Sequence, residues 1–195
     1  MIVLDIKSGA DCPTARYQTA AYEQLLKERE PKGVLNFYEA THEYRLDGVL
    51  LPSVTKILED VGLSDYSMVP NDQLEKYQER GQRVHEITRL WDLGDLDESS
   101  LNEAGRRYLE SWIKFRKKHI PHSVAFSVVE RPLASGLYRY AGTPDRAFEN
   151  GGRSERWVVY LSPEGEEARL VRCKDKTDWS VFLSAKNVYH AKHKN

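Results

Sequence analysis

An acid and a base stand two residues apart in Leu4-Asp5-Ile6-Lys7, and a glutamine and a tyrosine follow in Gln18-Thr19-Ala20-Ala21-Tyr22. Residues 1–6 read as a short apolar strand interrupted by one carboxylate. Alternation along a strand puts Asp5 and Lys7 on one face and Ile6 on the other. A carboxylate and an ammonium at the end of a buried strand are costly to desolvate unless they are used. The chemistry that uses them is metal-assisted hydrolysis: the acid holds a divalent ion, and the lysine positions or activates the attacking water.

The triplet alone is a weak signal. With 30 Asp+Glu and 13 Lys in 195 residues, about two acid-x-Lys triplets arise by chance from this composition. Two occur, and the second, Glu30-Pro31-Lys32, contains a proline that no central strand accepts. The bland reading of the first is a surface ion pair. A second carboxylate adds weight to the chemical one. Gly142-Thr143-Pro144-Asp145 lies in a strand-like run, residues 138–148, that Pro144 must make irregular. Two acids from neighbouring strands plus a lysine make a Mg²⁺ site with room for water and phosphate.

Pro144-Asp145, Asp5-Ile6-Lys7 and Gln18-x-x-x-Tyr22 together resemble the PD-(D/E)XK nuclease signature, in its RecB-like and phage exonuclease branch. Gly81-Gln82-Arg83-Val84-His85 resembles that branch's Gly-x-x-x-His helix motif, and Leu51-Pro52-Ser53-Val54-Thr55 the opening of small phage members. The resemblance covers residues 38–188 or so. It implies a restriction-endonuclease-like α/β fold, a mixed sheet flanked by helices. It implies Asp145, Asp5 and Lys7 as catalytic residues, and His85, Asp145, Asp5 and the Ile6 main-chain carbonyl as ligands of Mg²⁺ or Mn²⁺. Gln18 and Tyr22 would place the DNA backbone or brace Lys7, and Glu130 would serve a second metal. The implied activity is metal-dependent DNA exonuclease action in the cytoplasm of a bacterial or phage-infected cell, with a recombination partner or a homo-oligomer in view. A structure-selective or site-specific endonuclease, a catalytically silent DNA-binding module and an RNA nuclease stay open.

The order of the motifs departs from that family, where Pro-Asp precedes Asp-x-Lys. Here a strand-helix segment looks moved to the N-terminal side, with residues 149–155 bridging the gap. The first strand is expected between the strand ending near Phe148, antiparallel to it, and the strand starting near Arg156, parallel to it. Skipping one strand needs about 10 Å, and seven residues span roughly 23 Å. The link 31–33 reaches only about 10 Å, with domain swapping as the alternative.

The elements that must position these residues follow from local pattern. A helix starts near Pro13 and runs to about residue 27. Residues 42–51 form a hairpin turned by Asp47-Gly48. Ser53 caps a helix ending near Gly62. A longer helix, 71–93, carries Gly81 and His85 on one face, with close packing expected at the glycine. The helix 101–119 has the stripe Leu101, Ala104, Tyr108, Trp112 and Phe115. Glu130 falls on a strand candidate, 126–133. A hairpin, 157–161 and 168–173, turns at Pro163-Glu164-Gly165, and a basic helix starts at Thr177 or Asp178. The acidic stretch 92–98 reads as an exposed loop. Basic clusters at Arg106-Arg107, 114–119 and Arg169 to Lys176 are candidate DNA surfaces or simply solvated faces.

Length and composition, 40% hydrophobic and 30% charged, fit one globular domain over 1–195, with a core strand and helix in 1–30, a helical elaboration in 37–120 and the remaining core in 121–195. A net charge of −1 speaks against a basic coat for nucleic acid. No membrane-spanning run or signal peptide is expected, and Cys12 and Cys173 have no metal or disulfide spacing.

Overall fold

The computed structural model describes residues 1–9, 11–28, 33–65, 67, 69–152 and 154–193. The order of elements is β1 (Ile2–Lys7), α1 (Ala15–Lys27), β2 (Leu35–Tyr38), β3 (Glu43–Leu46), β4 (Val49–Leu51), α2 (Val54–Asp60), α3 (Asn71–Leu93) and α4 (Glu103–His119). There follow β5 (Val128–Val129), β6 (Leu133–Ser135), β7 (Tyr140–Gly142), β8 (Arg146–Phe148), β9 (Glu155–Tyr160), β10 (Arg169–Arg172) and α5 (Asp178–Lys192).

Five strands form the main sheet, in the order β10-β9-β1-β8-β5. Strand β1 runs parallel to β9, from Ile2 opposite Glu155 to Lys7 opposite Tyr160, and antiparallel to β8, from Ile2 opposite Phe148 to Leu4 opposite Arg146. This is the insertion expected from the motif order. A strand covered on both faces is expected to be apolar on both; β1 is so on the face of Ile2, Leu4 and Ile6, while the other carries Val3 and then Asp5 and Lys7. Ile2, Leu4 and Ile6 pack with Val84 and Ile87 of α3, with Tyr108, Trp112 and Phe115 of α4, and with Trp157 and Val159. Val3 faces the opposite layer, with Ala21, Tyr22 and Leu25 of α1, Ile57 and Leu58 of α2, and Phe182 of α5. Each such buried aliphatic side chain contributes roughly 1.5–3 kcal/mol. The chain is therefore of the α/β class, a mixed sheet with helices on both sides.

Local chemistry sets the element ends. The Lys56 amide donates to Ser53 Oγ at 3.1 Å, capping α2. Asp47 (φ 50°) and Gly48 (φ 79°) turn β3 into β4, as a two-residue hairpin loop requires. Helix α3 stops at Gly94, whose φ is 79°. On α4 the stripe departs from expectation at its start. Ala104 is exposed, and the buried position is Gly105, where an added Cβ would lie 3.0 Å from Ile87 Cδ1. Close approach of α3 selects the residue without a side chain.

Two expected strands are each split. Residues 138–148 form β7 and β8 in different sheets, because Thr143-Pro144 carries the chain from a two-stranded sheet, β6-β7, into the main one. Residues 126–133 break after β5. Glu130 has φ 44° and Pro132 has no amide to offer a ladder, so Glu130 sits at a kink and not on a strand. Strand β2, unanticipated, joins β3 and β4 in a third sheet. The triplet 30–32 and most of the link 31–33 lie outside the described residues. Cys12 and Cys173 are free thiols, and among the described residues no helix is long and apolar enough to cross a membrane.

Candidate active site

The pairing of β1 with β8 ends at Leu4 opposite Arg146, because Pro144 has no amide hydrogen with which to continue a ladder. The next β1 amide on that edge, Ile6 N–H, donates instead to Asp145 Oδ2 at 2.5 Å. The side chain replaces a backbone acceptor, so the proline that ends the strand also fixes the carboxylate. By strand geometry the Ile6 carbonyl leaves on the same edge as its amide.

Asp5 and Lys7 share the face turned to α1, as alternation requires. Lys7 Nζ lies 2.9 Å from Asp5 Oδ1 and donates to Gln18 Oε1 at 3.2 Å. Burial lowers the Lys7 pKa, but the charges of Asp5 and Asp145 outweigh it and raise it. With these carboxylates free, Lys7 is a fixed cation: it can orient water and stabilise negative charge, but not take a proton. Asp5 Oδ2 is buried with no hydrogen-bond partner.

From the opposite layer, α3 brings His85 to the same place. Its Nδ1 stands 3.6 Å from Asp145 Oδ1 and 3.5 Å from Glu130 Oε1. Burial, with the charges of Asp5 and Glu130, drives the Asp145 carboxyl up to about 6, against the opposing pull of His85 and Lys7. Burial lowers His85, yet Asp145 and Glu130 outweigh it and raise its pKa. Glu130 is held below the usual range: burial is overcome by the His85 hydrogen bond and charge and by Arg146. Tyr22 is raised well above a free phenol by burial and by the two aspartates, which places it in their field as a neutral hydroxyl.

The structure thus gathers Asp5, Ile6, Lys7, Gln18, Tyr22, His85, Glu130 and Asp145 around one end of the sheet. Gln18 and Tyr22 are 8% and 9% exposed, so their geometry fits the bracing half of their expected role. Among the described residues no three His, Cys, Asp or Glu side chains stand together as a ready ligand set. The donors are instead engaged pairwise, Asp5 with Lys7 and Asp145 with Ile6 N–H and His85. The residues nevertheless fit a cation. The orphaned Asp5 oxygen and a carboxyl driven upward by burial and by neighbouring acids are features a divalent ion would relieve.

Behind the site lies a network that sequence reading missed. Arg146, wholly buried, donates through Nε to Asp92 Oδ2 at 2.7 Å, through Nη1 to Glu130 at 3.2 Å and to the Asp145 carbonyl at 2.7 Å, and through Nη2 to Thr88 at 3.3 Å. Asp92 also accepts from Arg116 at 2.6 Å and Trp112 Nε1 at 3.2 Å. The exposed acidic loop expected to begin at Asp92 starts later: Asp92 belongs to the last turn of α3, with its side chain fully buried. The available signal was Arg146 itself, since an arginine inside a buried strand needs an acid. The expected basic surfaces are mostly paired: Arg107 with Glu103, Lys118 with Glu167, Arg169 with Asp11, and Lys114 with the Gly165 carbonyl. Gly81 meets no close packing, because nothing lies within 4 Å of an added Cβ.

A scan against protein-family models finds none that matches this chain, and no curated protein matches its sequence.

Proposed function

We propose that this chain is a metal-dependent deoxyribonuclease with a rearranged PD-(D/E)XK core, acting on DNA as an exonuclease. One observation carries the reading: residues as far apart as Asp5 and Asp145 converge at one sheet end, beside a fixed ammonium, around a buried carboxylate oxygen with no partner. Asp5, Asp145, the Ile6 carbonyl and His85 would hold Mg²⁺ or Mn²⁺, which when bound supplies charge neutralisation and Lewis acidity at a phosphodiester.

The chain's own residues do the rest. Asp145 is aimed by Ile6 N–H, and Glu130, anchored by Arg146, steadies His85. Lys7, held as an ammonium by Asp5 and Gln18, orients the attacking water and stabilises charge developing on the phosphoryl oxygens. Tyr22 walls the site with a neutral phenol.

The test is digestion of end-labelled linear, circular and single-stranded DNA with and without Mg²⁺ or Mn²⁺. Metal-dependent shortening of linear DNA with circular duplex untouched is expected. Cleavage of the circle would move the assignment to an endonuclease on the same core. No metal-dependent cleavage of any substrate would leave a binding module.

A further inference from the structure

Six described arginines are at least partly buried, and five of them, Arg45, Arg89, Arg116, Arg146 and Arg156, have a carboxylate oxygen within 3.0 Å. Arg80 is the sixth. Among the described residues it has no acid partner, and its Nε is buried without any hydrogen bond. A buried guanidinium nitrogen left without a hydrogen bond is costly in a folded chain, and a planar fork of donors suits a phosphate.

Its position gives that fork a use. Arg80 precedes His85 by five residues, about 7.5 Å along the helix axis. Its Nη2 lies 3.1 Å from where a Cβ on Gly9 would stand, in the segment that leaves Lys7. Gly9 lets the guanidinium come this near the backbone. The same segment is pinned by Tyr108, whose hydroxyl donates to the Ser8 carbonyl at 3.2 Å. Tyr77 lies beneath the guanidinium, 5.0 Å away, and holds it flat. The first three turns of α3 are almost entirely exposed, with Gln73, Gln78, Gln82 and Arg83 turned to solvent.

Resting on the nuclease reading above, we propose that Arg80 is a phosphate-binding residue for the nucleic-acid strand. It grips a phosphate adjacent to the one that enters the Asp5–Lys7–Asp145 centre, with the outer half of α3 as the wall along which the strand passes.

The experiment compares wild type, Arg80→Gln, Arg80→Lys and the control Lys56→Gln, an exposed lysine on α2. Binding of a fluorescein-labelled single-stranded oligonucleotide is followed by anisotropy over a salt series with Ca²⁺ in place of Mg²⁺, alongside thermal melting and cleavage in Mg²⁺. Arg80→Gln is expected to bind roughly ten- to a hundred-fold more weakly, with a salt slope shallower by about one unit. Arg80→Lys should fall between, and Lys56→Gln should match wild type. The melting temperature of Arg80→Gln should fall by no more than a few degrees, the loss of its packing on Tyr77, since among the described residues it has no acid partner to abandon; a larger fall would mark a structural role and overturn the proposal. Unchanged binding by Arg80→Gln in a wild type that binds and cleaves would overturn it and leave the nuclease reading standing. Weakened binding with no cleavage by wild type would support Arg80 as a phosphate ligand and end the nuclease reading. A wild type that neither binds nor cleaves would overturn both.

Discussion

Asp5→Asn and Asp145→Asn each delete a negative charge at constant volume, and they do so in different surroundings. The carboxamide oxygen that replaces the Asp145 carboxylate can still accept from Ile6 N–H, and the one that replaces the Asp5 carboxylate can still accept from Lys7, so both variants should fold. Each should lose at least about a hundredfold in metal-dependent cleavage, the scale expected when a positioned charge is removed from a reacting centre. Near wild-type cleavage by either would dismiss the site. Proton linkage gives a second reading of Asp145. Its pKa is raised to about 6, above the unfolded value near 3.9. Its contribution to stability is therefore complete below about pH 4 and is lost as pH rises through 6. His85, also raised, acts in the same direction. The metal-free protein should lose more melting temperature between pH 5 and 7 than Asp145→Asn does, and saturating Mn²⁺ should remove the difference. Equal pH profiles in melts of the two proteins would show that no such strain exists.

At the scale of elements, α3 serves both the core and the site, and its two ends differ. Near its C-terminus Asp92 joins α4 and β8 through Arg116, Trp112 and Arg146. Asp92→Ala would strand Arg116 and leave Arg146 with Glu130 alone, and a loss of about 3–5 kcal/mol is expected in denaturant unfolding; a loss under 1 kcal/mol would mean that water replaces the acid. Toward the exposed half, Gly81 has free space around it, so Gly81→Ala should stabilise by about 1 kcal/mol, raising the melting temperature by roughly 2–4 °C. A lower melting temperature would reveal a contact not yet accounted for. The limits of sequence reading lie in the same helix. Periodicity gave its span, 71–93, and alternation gave the shared face of Asp5 and Lys7, because both are local. Asp92 and Glu130 were misplaced because their environment is set by Arg146, Arg116 and His85, which no local window contains. Strand breaks at Glu130 and Thr143-Pro144 were blurred for a related reason. Aromatic and β-branched runs continue across them while the chain changes sheets.

At the scale of the whole molecule, the sheet closes around a strand from the far end of the sequence. The neighbours of β1 were expected from the sheet that the family resemblance implies, and chain reach permitted them, although the third sheet was not foreseen. This central position also governs how the molecule must assemble. Ile6 and Asp145, joined by one hydrogen bond, are 139 positions apart, and β1 has no nearer strand with which to pair in the main sheet. Loop-closure entropy must be met before that pairing returns anything, which puts folding in the slow, millisecond-to-second regime. Stopped-flow refolding should show β1 amides protected only in the final phase, and microsecond protection there would contradict the argument. During synthesis β1 emerges well ahead of its partners and waits, unpaired, until β8 and β9 have followed. An apolar edge exposed for that long invites association between nascent chains, so recovery of native protein should depend steeply on temperature and on the concentration of unfinished chains.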